Sequence, residues 1–230
     1  MTAPTLSTSA PRVRVSRSAL VRNVARARAA DPSAPVDLRR DACGAGLETV
    51  ARAAVEAGVR SALLDDGADP LARERVAELG LAPSVEPALD PGAVLGVDGG
   101  GILAVSFSGP VLQAKRLRAG DGVSYGYRFR ADRDTRAALV AGGYAQGVAR
   151  ALGGEAAVLL AGREMPIVGR VAMDVSVVLT GDAEVARGDE ALFFGAEAPG
   201  LLADWARITG LTPLELVANA CSHAAREVVA

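Results

Sequence analysis

Charged and apolar positions alternate from Arg12 to Val15, the period of a half-buried strand, and Ser16 or Ser18 is placed to cap a helix directly after it. Leu20, Val21, Val24 and Ala25 then fall at helical spacing. Val36 to Leu38 predicts a strand, Leu47 to Ala57 a helix stopped by Gly58, and Ser61 to Leu64 the next strand. Asp69 and Pro70 are an N-cap and first helical residue, and Gly80 closes that helix. Strand, loop, helix, strand, helix is the grammar of a parallel α/β unit. Pro83 to Val85 and Val94 to Val97 add two short strand candidates. Gly99-Gly100-Gly101 lacks the Gly-Lys-Ser/Thr that would make it a phosphate cradle and reads as a flexible linker.

From Ile102 onward the pattern changes to short apolar runs broken by glycine and aspartate: Leu103 to Phe107, Val111 to Leu117, Ala137 to Val140, Ala157 to Leu160, Val175 to Leu179 and Ala191 to Phe194. Such runs with tight turns, as at Gly162-Arg163 and Gly181-Asp182, describe an antiparallel β-domain or partly closed barrel. Leu201 to Ile208 is amphipathic, and Thr212-Pro213-Leu214-Glu215 has the form of a capping box opening a last helix. The predicted organisation is a disordered tail over 1–11, an α/β portion over 12–101, and a β-domain with terminal helices over 102–230.

Composition narrows this picture only a little. A chain of 230 residues, 50% hydrophobic and 23% charged, is long enough for two modest domains and should be soluble and globular. A net charge of −2 gives no argument for nucleic acid or an anionic membrane surface. No apolar run approaches the roughly 20 residues of a membrane span. The first eleven residues lack the apolar core of a signal peptide. Cys43 and Cys221 stand far apart with no Cys-x-x-Cys pair and no third ligand nearby, which argues against a metal site and suits a reducing cytoplasm. Of the 25 basic residues only Lys115 is lysine.

Three punctuated blocks carry the candidate chemistry: Val123-Ser124-Tyr125-Gly126, Gly143-Tyr144-Ala145-Gln146-Gly147 and Gly169-Arg170-Val171-Ala172-Met173-Asp174. Two of them hold a tyrosine in a protein with three tyrosines and four phenylalanines, which suggests groups presented beside turns. Turns that need glycine and tyrosines that fill a core give the same pattern.

In this order and spacing the blocks resemble the C-terminal β-domain of alanine racemases, pyridoxal-phosphate (PLP) enzymes that interconvert L- and D-alanine, a cell-wall precursor. The resemblance runs from about Val105 to the C-terminus, with a weaker match over Arg12 to Gly67. It implies an N-terminal (β/α)8 barrel that holds the cofactor and a β-domain that completes the partner subunit's site. It also implies two bases on opposite faces of the substrate, a barrel lysine carrying the cofactor and a tyrosine from the other subunit. By the match, Tyr125 stands where that tyrosine does. Tyr144 resembles the aromatic lining the substrate entrance, Met173 the residue whose backbone helps hold the substrate carboxylate, and Asp174 follows it as in the family.

The other half of the resemblance is broken. Where the family reads Lys-Ala-Asp-Ala-Tyr-Gly-His-Gly, this chain has Arg39-Arg40-Asp41-Ala42-Cys43-Gly44-Ala45-Gly46, so the Schiff-base lysine is replaced by Arg39, or by Arg40 if the register slips by one. A guanidinium with pKa above about 12 is neither a nucleophile toward an aldehyde nor a base at neutral pH. Lys115 lies ten residues before Tyr125 and belongs to the wrong domain to replace it. A full barrel takes about 250 residues, yet the β-domain match begins near Val105, so the middle strands are missing. Leu214 replaces the family's phosphate-binding tyrosine, and His223, the sole histidine, reads as a surface or capping residue. The expected fold is therefore a truncated (β/α) barrel remnant followed by an alanine-racemase-like antiparallel β-domain. The expected function is that of a degenerate relative with no PLP Schiff base, forming a homodimer or a heterodimer with a complete racemase. An active PLP-dependent racemase and a ligand-free structural remnant are the alternatives.

Overall fold

Strand β1 (Arg12–Ser16) buries Val13 and Val15 on one face, as its alternation predicts. The Ser16 hydroxyl accepts from Ala19 N at 3.2 Å and starts α1 (Arg17–Arg28), whose inner face is Leu20, Asn23 and Val24. The structure, a computed structural model, describes residues 9–230. Positions 1–8 of the expected tail lie outside the described residues.

β2 (Val36–Asp37), α2 (Leu47–Glu56), β3 (Ser61–Leu63), α3 (Pro70–Glu78) and β4 (Ala82–Pro83) follow in the predicted alternation. The three strands form a parallel sheet in the order β2-β3-β4, with Val36 opposite Ala62 and Ser61 opposite Ala82. Asp69 accepts from Leu71 N at 3.0 Å, and Pro70 occupies the first turn, where its missing N–H costs nothing. The segment expected as a strand at Val94 to Val97 is instead the end of a short helix, α4 (Pro91–Leu95). Asp90 and Pro91 repeat the cap used by α3, and the Asp90 carboxylate accepts from Gly92 N at 3.0 Å. Helix α1 packs against both α2 and α4.

Nor is the glycine run a loose joint. Buried Asn23 donates to Val94 O at 3.1 Å and Ile102 O at 2.7 Å and accepts from Ile102 N at 2.9 Å, while Arg26 grips Asp98 at 2.7 Å. A Cβ on Gly101 would sit 2.8 Å from Asn23 Oδ1, so glycine serves close approach here.

The antiparallel domain begins with β5 (Val105–Leu117), one strand of 13 residues where two apolar runs were expected. It runs on through Gly109-Pro110 because a Cβ at Gly109 would lie 1.8 Å from Ala141 O: a glycine there permits the neighbouring strand to close in. β6 (Gly122–Val123) and β7 (Phe129–Arg130) make a small ribbon. β8 (Thr135–Ala141), β9 (Ala157–Leu160), β10 (Arg163–Pro166), β11 (Val175–Leu179) and β12 (Glu190–Phe194) complete the sheets. β8 pairs with β5 and β11, β12 with β5 and β9, and β9 with β10, all antiparallel. α5 (Pro199–Thr209) covers β12. Phe107 stacks on Phe193 with centroids 5.0 Å apart, and Trp205 meets Phe107, Phe193 and Phe194 at steep angles. All four rings are fully buried, each contributing about 2–3 kcal/mol of apolar burial.

The chain ends with α6 (Pro213–His223) and β13 (Ala225–Val229). Two compact units result: Ser106–Thr212 with Ser222–Ala225 and the described residues up to Val13, and Arg14–Val105 with Pro213–Cys221 and Arg226–Ala230.

Candidate functional site

The turn between β6 and β7 uses backbone that ordinary residues avoid. Ser124 has φ 64° and ψ 176°, a region almost confined to glycine, and Gly126 and Tyr127 come next at φ 73° and 46°. An ordinary residue held there costs about 1–3 kcal/mol unless its surroundings enforce it. The Ser124 hydroxyl donates to Arg170 O, which ties the turn to the third block. Tyr125 is carried at the top of this turn and is 72% exposed.

Glycines allow the three blocks to touch. Gly169 has φ +70°, and a Cβ there would stand 2.8 Å from Ser124 Cβ. A Cβ on Gly143 would fall 2.3 Å from Met173 O. Through that gap Gly142 N donates to Asp174 O at 2.9 Å, Tyr144 N to Ala172 O at 2.9 Å and Ala145 N to Met173 O at 3.0 Å. Residues 169–174 thus join the Tyr125 turn on one side to the Tyr144 turn on the other. Tyr144 and Met173 are exposed large side chains, Asp174 is exposed, and the Arg150 guanidinium lies 5.2 Å from the Tyr144 ring centre. The amide N–H of Met173 has no acceptor among the described residues.

A cleft of about 490 Å³ opens beside Tyr125, lined also by Tyr127, Gln113, Lys115, Arg170 and Val175. The sole lysine of the chain therefore shares a cleft with Tyr125. Ser124 and Arg170, which position the tyrosine, were also missed as working residues. Their only sequence signal is that each sits next to a block glycine or tyrosine.

The loop 39–46 lies in the other unit and is not an irregular connection. Arg40, Asp41, Ala42 and Cys43 run through left-handed space at φ 53–56°, and Gly44 closes the turn at φ 82°. Asp65 accepts from Arg40 N at 2.9 Å. Asp41 accepts from Leu47 N at 2.6 Å and from Arg226 at 2.6 Å, and Arg226 also reaches Gly44 O at 2.6 Å. Arg39 is gripped by Asp37, through Nη2 at 2.6 Å and Nε at 3.0 Å; this hydrogen-bonded pairing raises its pKa further and holds the guanidinium as a cation. Arg40 projects into solvent, 3.9 Å from Asp65 at its nearest. Cys43 and Cys221 are free thiols; burial pushes Cys221 up to about 12. His223 is exposed at the last residue of α6. Among the described residues no group of three or more His, Cys, Asp or Glu side chains could hold a metal ion, and no helix is long and apolar enough to cross a membrane.

A family model described as "Alanine racemase, C-terminal domain" matches residues 104–228, more than half of the chain. The chain belongs to the alanine racemase family. It is 42% identical over 153 residues to an alanine racemase of Mycobacterium tuberculosis, a match covering 65% of this chain and 38% of that one. It is 40% identical over 150 residues to the alanine racemase of Thermobifida fusca, covering 64% and 37%. The aligned part thus spans well under half the length of the curated relatives. The fold is also that of alanine racemase from a D-cycloserine producing Streptomyces lavendulae, at TM-score 0.81, 19% identity and coverage of 96% and 97%. An alanine racemase from Bartonella henselae with covalently bound pyridoxal phosphate matches at TM-score 0.76 and 18% identity, covering 96% of this chain and 100% of that one.

The residues present do not fit a covalently held PLP at position 39. The group there is a guanidinium engaged through Nε and Nη2 by Asp37, with no amine to condense with an aldehyde.

Proposed function

We propose that this chain is a degenerate alanine racemase that forms no Schiff base through Arg39 and acts through its β-domain. In this reading it pairs, in the cytoplasm, with a complete racemase in D-alanine metabolism, either lending Tyr125 to the partner's site or silencing that site by occupying its dimer face. One contrast carries the reading: Tyr125 is 72% exposed on a turn held by Ser124, Gly169 and Arg170, while Arg39 is bound to Asp37. Tyr144, Met173 and Asp174 are exposed in the blocks joined to that turn through residues 169–174, and the free amide N–H of Met173 is a donor suited to a substrate carboxylate. A phenol, with an ordinary pKa of about 10, works as a base only beside a positive group, which the partner's barrel would supply.

The test is to add a molar excess of this chain to a purified complete racemase, following activity and elution on a sizing column. A mixed complex with raised or lowered activity is expected. Unchanged activity with no complex removes the proposal.

The position of Lys115 favours one alternative, a working racemase that uses this amine. That alternative requires an absorption band retained after incubation with PLP and desalting, fixed by borohydride to Lys115. Absence of such a band leaves the pseudoenzyme reading in place.

A further inference from the structure

A second groove, of about 870 Å³, lies where β5 ends and β8 begins, and it is lined by Arg116, Arg118, Arg133 and Arg136 together with Asp121, Asp134 and Asp182. The strand register sets Arg116 directly opposite Arg136. Directly opposed side chains on antiparallel strands have their Cβ atoms about 4.5–5.5 Å apart, where like charges destabilise the pair. Arg118 follows directly after the end of β5 and lines the same groove. Arg133 projects from the turn that enters β8.

The nearby carboxylates line the groove as charges but make their close contacts with other partners. Asp121 accepts from Arg118 N at 2.8 Å and Asp134 from Ala119 N at 3.0 Å, both holding the turn after β5. Asp182 pairs with Arg163 at 3.4 Å. Among the described residues, none of the four guanidinium groups has an ion-pair partner. The groove thus sets four arginines against three aspartates, none of them within ion-pair distance of the four guanidinium groups among the described residues, and strand register forces two of the arginines together.

We infer that this groove binds a small multivalent oxyanion of the diphosphate class, bridged between Arg116 and Arg136 with Arg118 and Arg133 closing on its far side. The guanidinium fork matches phosphate oxygens two at a time, and a bound dianion turns the Arg116–Arg136 repulsion into a shared attraction. No aromatic side chain lines the groove, so it offers no stacking platform for single-stranded nucleic acid, which favours a compact anion.

The experiment is calorimetric titration and thermal unfolding of the full chain with inorganic pyrophosphate, with chloride at matched ionic strength as control and adenosine diphosphate as a second arm. Saturable pyrophosphate binding that raises the melting temperature is expected. Binding of adenosine diphosphate in addition marks the ligand as a diphosphate ester; binding of pyrophosphate alone marks it as the free anion. The Arg116→Gln/Arg136→Gln double variant should bind at least about tenfold more weakly and, without anion, melt no lower than the wild type, since the repulsion has gone. Arg207→Gln, whose charge sits with Asp204 on α5, should bind as the wild type does. The inference is overturned if pyrophosphate acts no differently from chloride, or if the double variant keeps wild-type affinity.

Discussion

Loop 39–46 takes four consecutive non-glycine residues through left-handed backbone, and turn 124–127 takes Ser124 and Tyr127 through positive φ on either side of Gly126. Each such residue costs about 1–2 kcal/mol, so both segments persist only because their surroundings enforce them. The means differ. The first is clamped by charged side chains, with Asp65, Asp41 and Arg226 bonding to its backbone and Asp37 holding Arg39. The second is held by packing of backbone on backbone at Gly169 and one hydroxyl, leaving the Tyr125 side chain unengaged and exposed. The first arrangement engages Arg39 and Asp41 and leaves only Arg40 in solvent; the second leaves Tyr125 exposed. On the function proposed above, the second segment is the part given to another site and the first the part that no longer serves its own.

The largest expected effect tests the presented half. Tyr125→Phe should lower any activity that this chain contributes to a complete racemase by about a hundredfold or more, the usual worth of a positioned acid or base. Its stability should stay within about 0.5 kcal/mol of the wild type, because the side chain is mostly exposed. Retained full activity in the mixed complex would reduce the match at Tyr125 to a likeness of shape.

How far the sequence could foretell all this depended on whether the signal was local. The caps at Ser16, Asp69 and Asp90 are short-range, and two of them were legible; the third was hidden because Val94 to Val97 is apolar and short enough to pass for a strand. Ala225–Val229 was missed since four of its five residues are exposed and leave no apolar alternation. Arg163–Pro166 was missed for the same reason, with only Met165 buried. Tyr125, Tyr144, Met173 and Asp174 are singled out by resemblance to a family, and the physics that joins their blocks, the missing Cβ atoms at Gly143 and Gly169, becomes readable only with the backbone in place. The left-handed turn had no signal at all: Arg40, Asp41, Ala42 and Cys43 include no glycine, and the clamping residues Asp65 and Arg226 are remote in sequence.

A second experiment tests the packing that holds the presented turns together. Gly143→Ala should destabilise the protein by about 2–3 kcal/mol, since its Cβ meets a backbone oxygen that can move only by breaking the bonds to Met173 and Ala172. Gly200→Ala, in α5 with nothing within 4 Å of the new methyl, should instead be neutral or gain up to about 1 kcal/mol from helix propensity. Denaturant midpoints compare the two directly. Equal effects would mean that the Tyr144 and Met173 blocks are not locked to each other, and the contrast drawn with the clamped loop would fail.

The smallest effect concerns the back of that clamped loop. A Cβ on Gly44 would lie 2.8 Å from Cys221 Cβ, so the left-handed turn rests directly on α6 at its buried cysteine. Burial raises the Cys221 thiol to about 12, with Asp41 and Cys43 adding to the rise and Arg226 opposing it. A free thiol titrates near 8.5, so the folded state holds this proton more tightly than the unfolded chain does. The stabilisation is therefore complete below the unfolded value and is lost as pH climbs from about 9 toward 12, by about 1.4 kcal/mol for each pH unit. Between about pH 8 and about pH 10 the wild type should lose roughly 2 kcal/mol more than Cys221→Ala, measured as the difference of two denaturant curves so that the tyrosines cancel. Parallel losses in the two proteins would mean that water reaches the thiol and that the loop is held by its ionic clamps alone. A steeper loss in the wild type would add a packed, dry contact to the means by which this half of the molecule is kept shut.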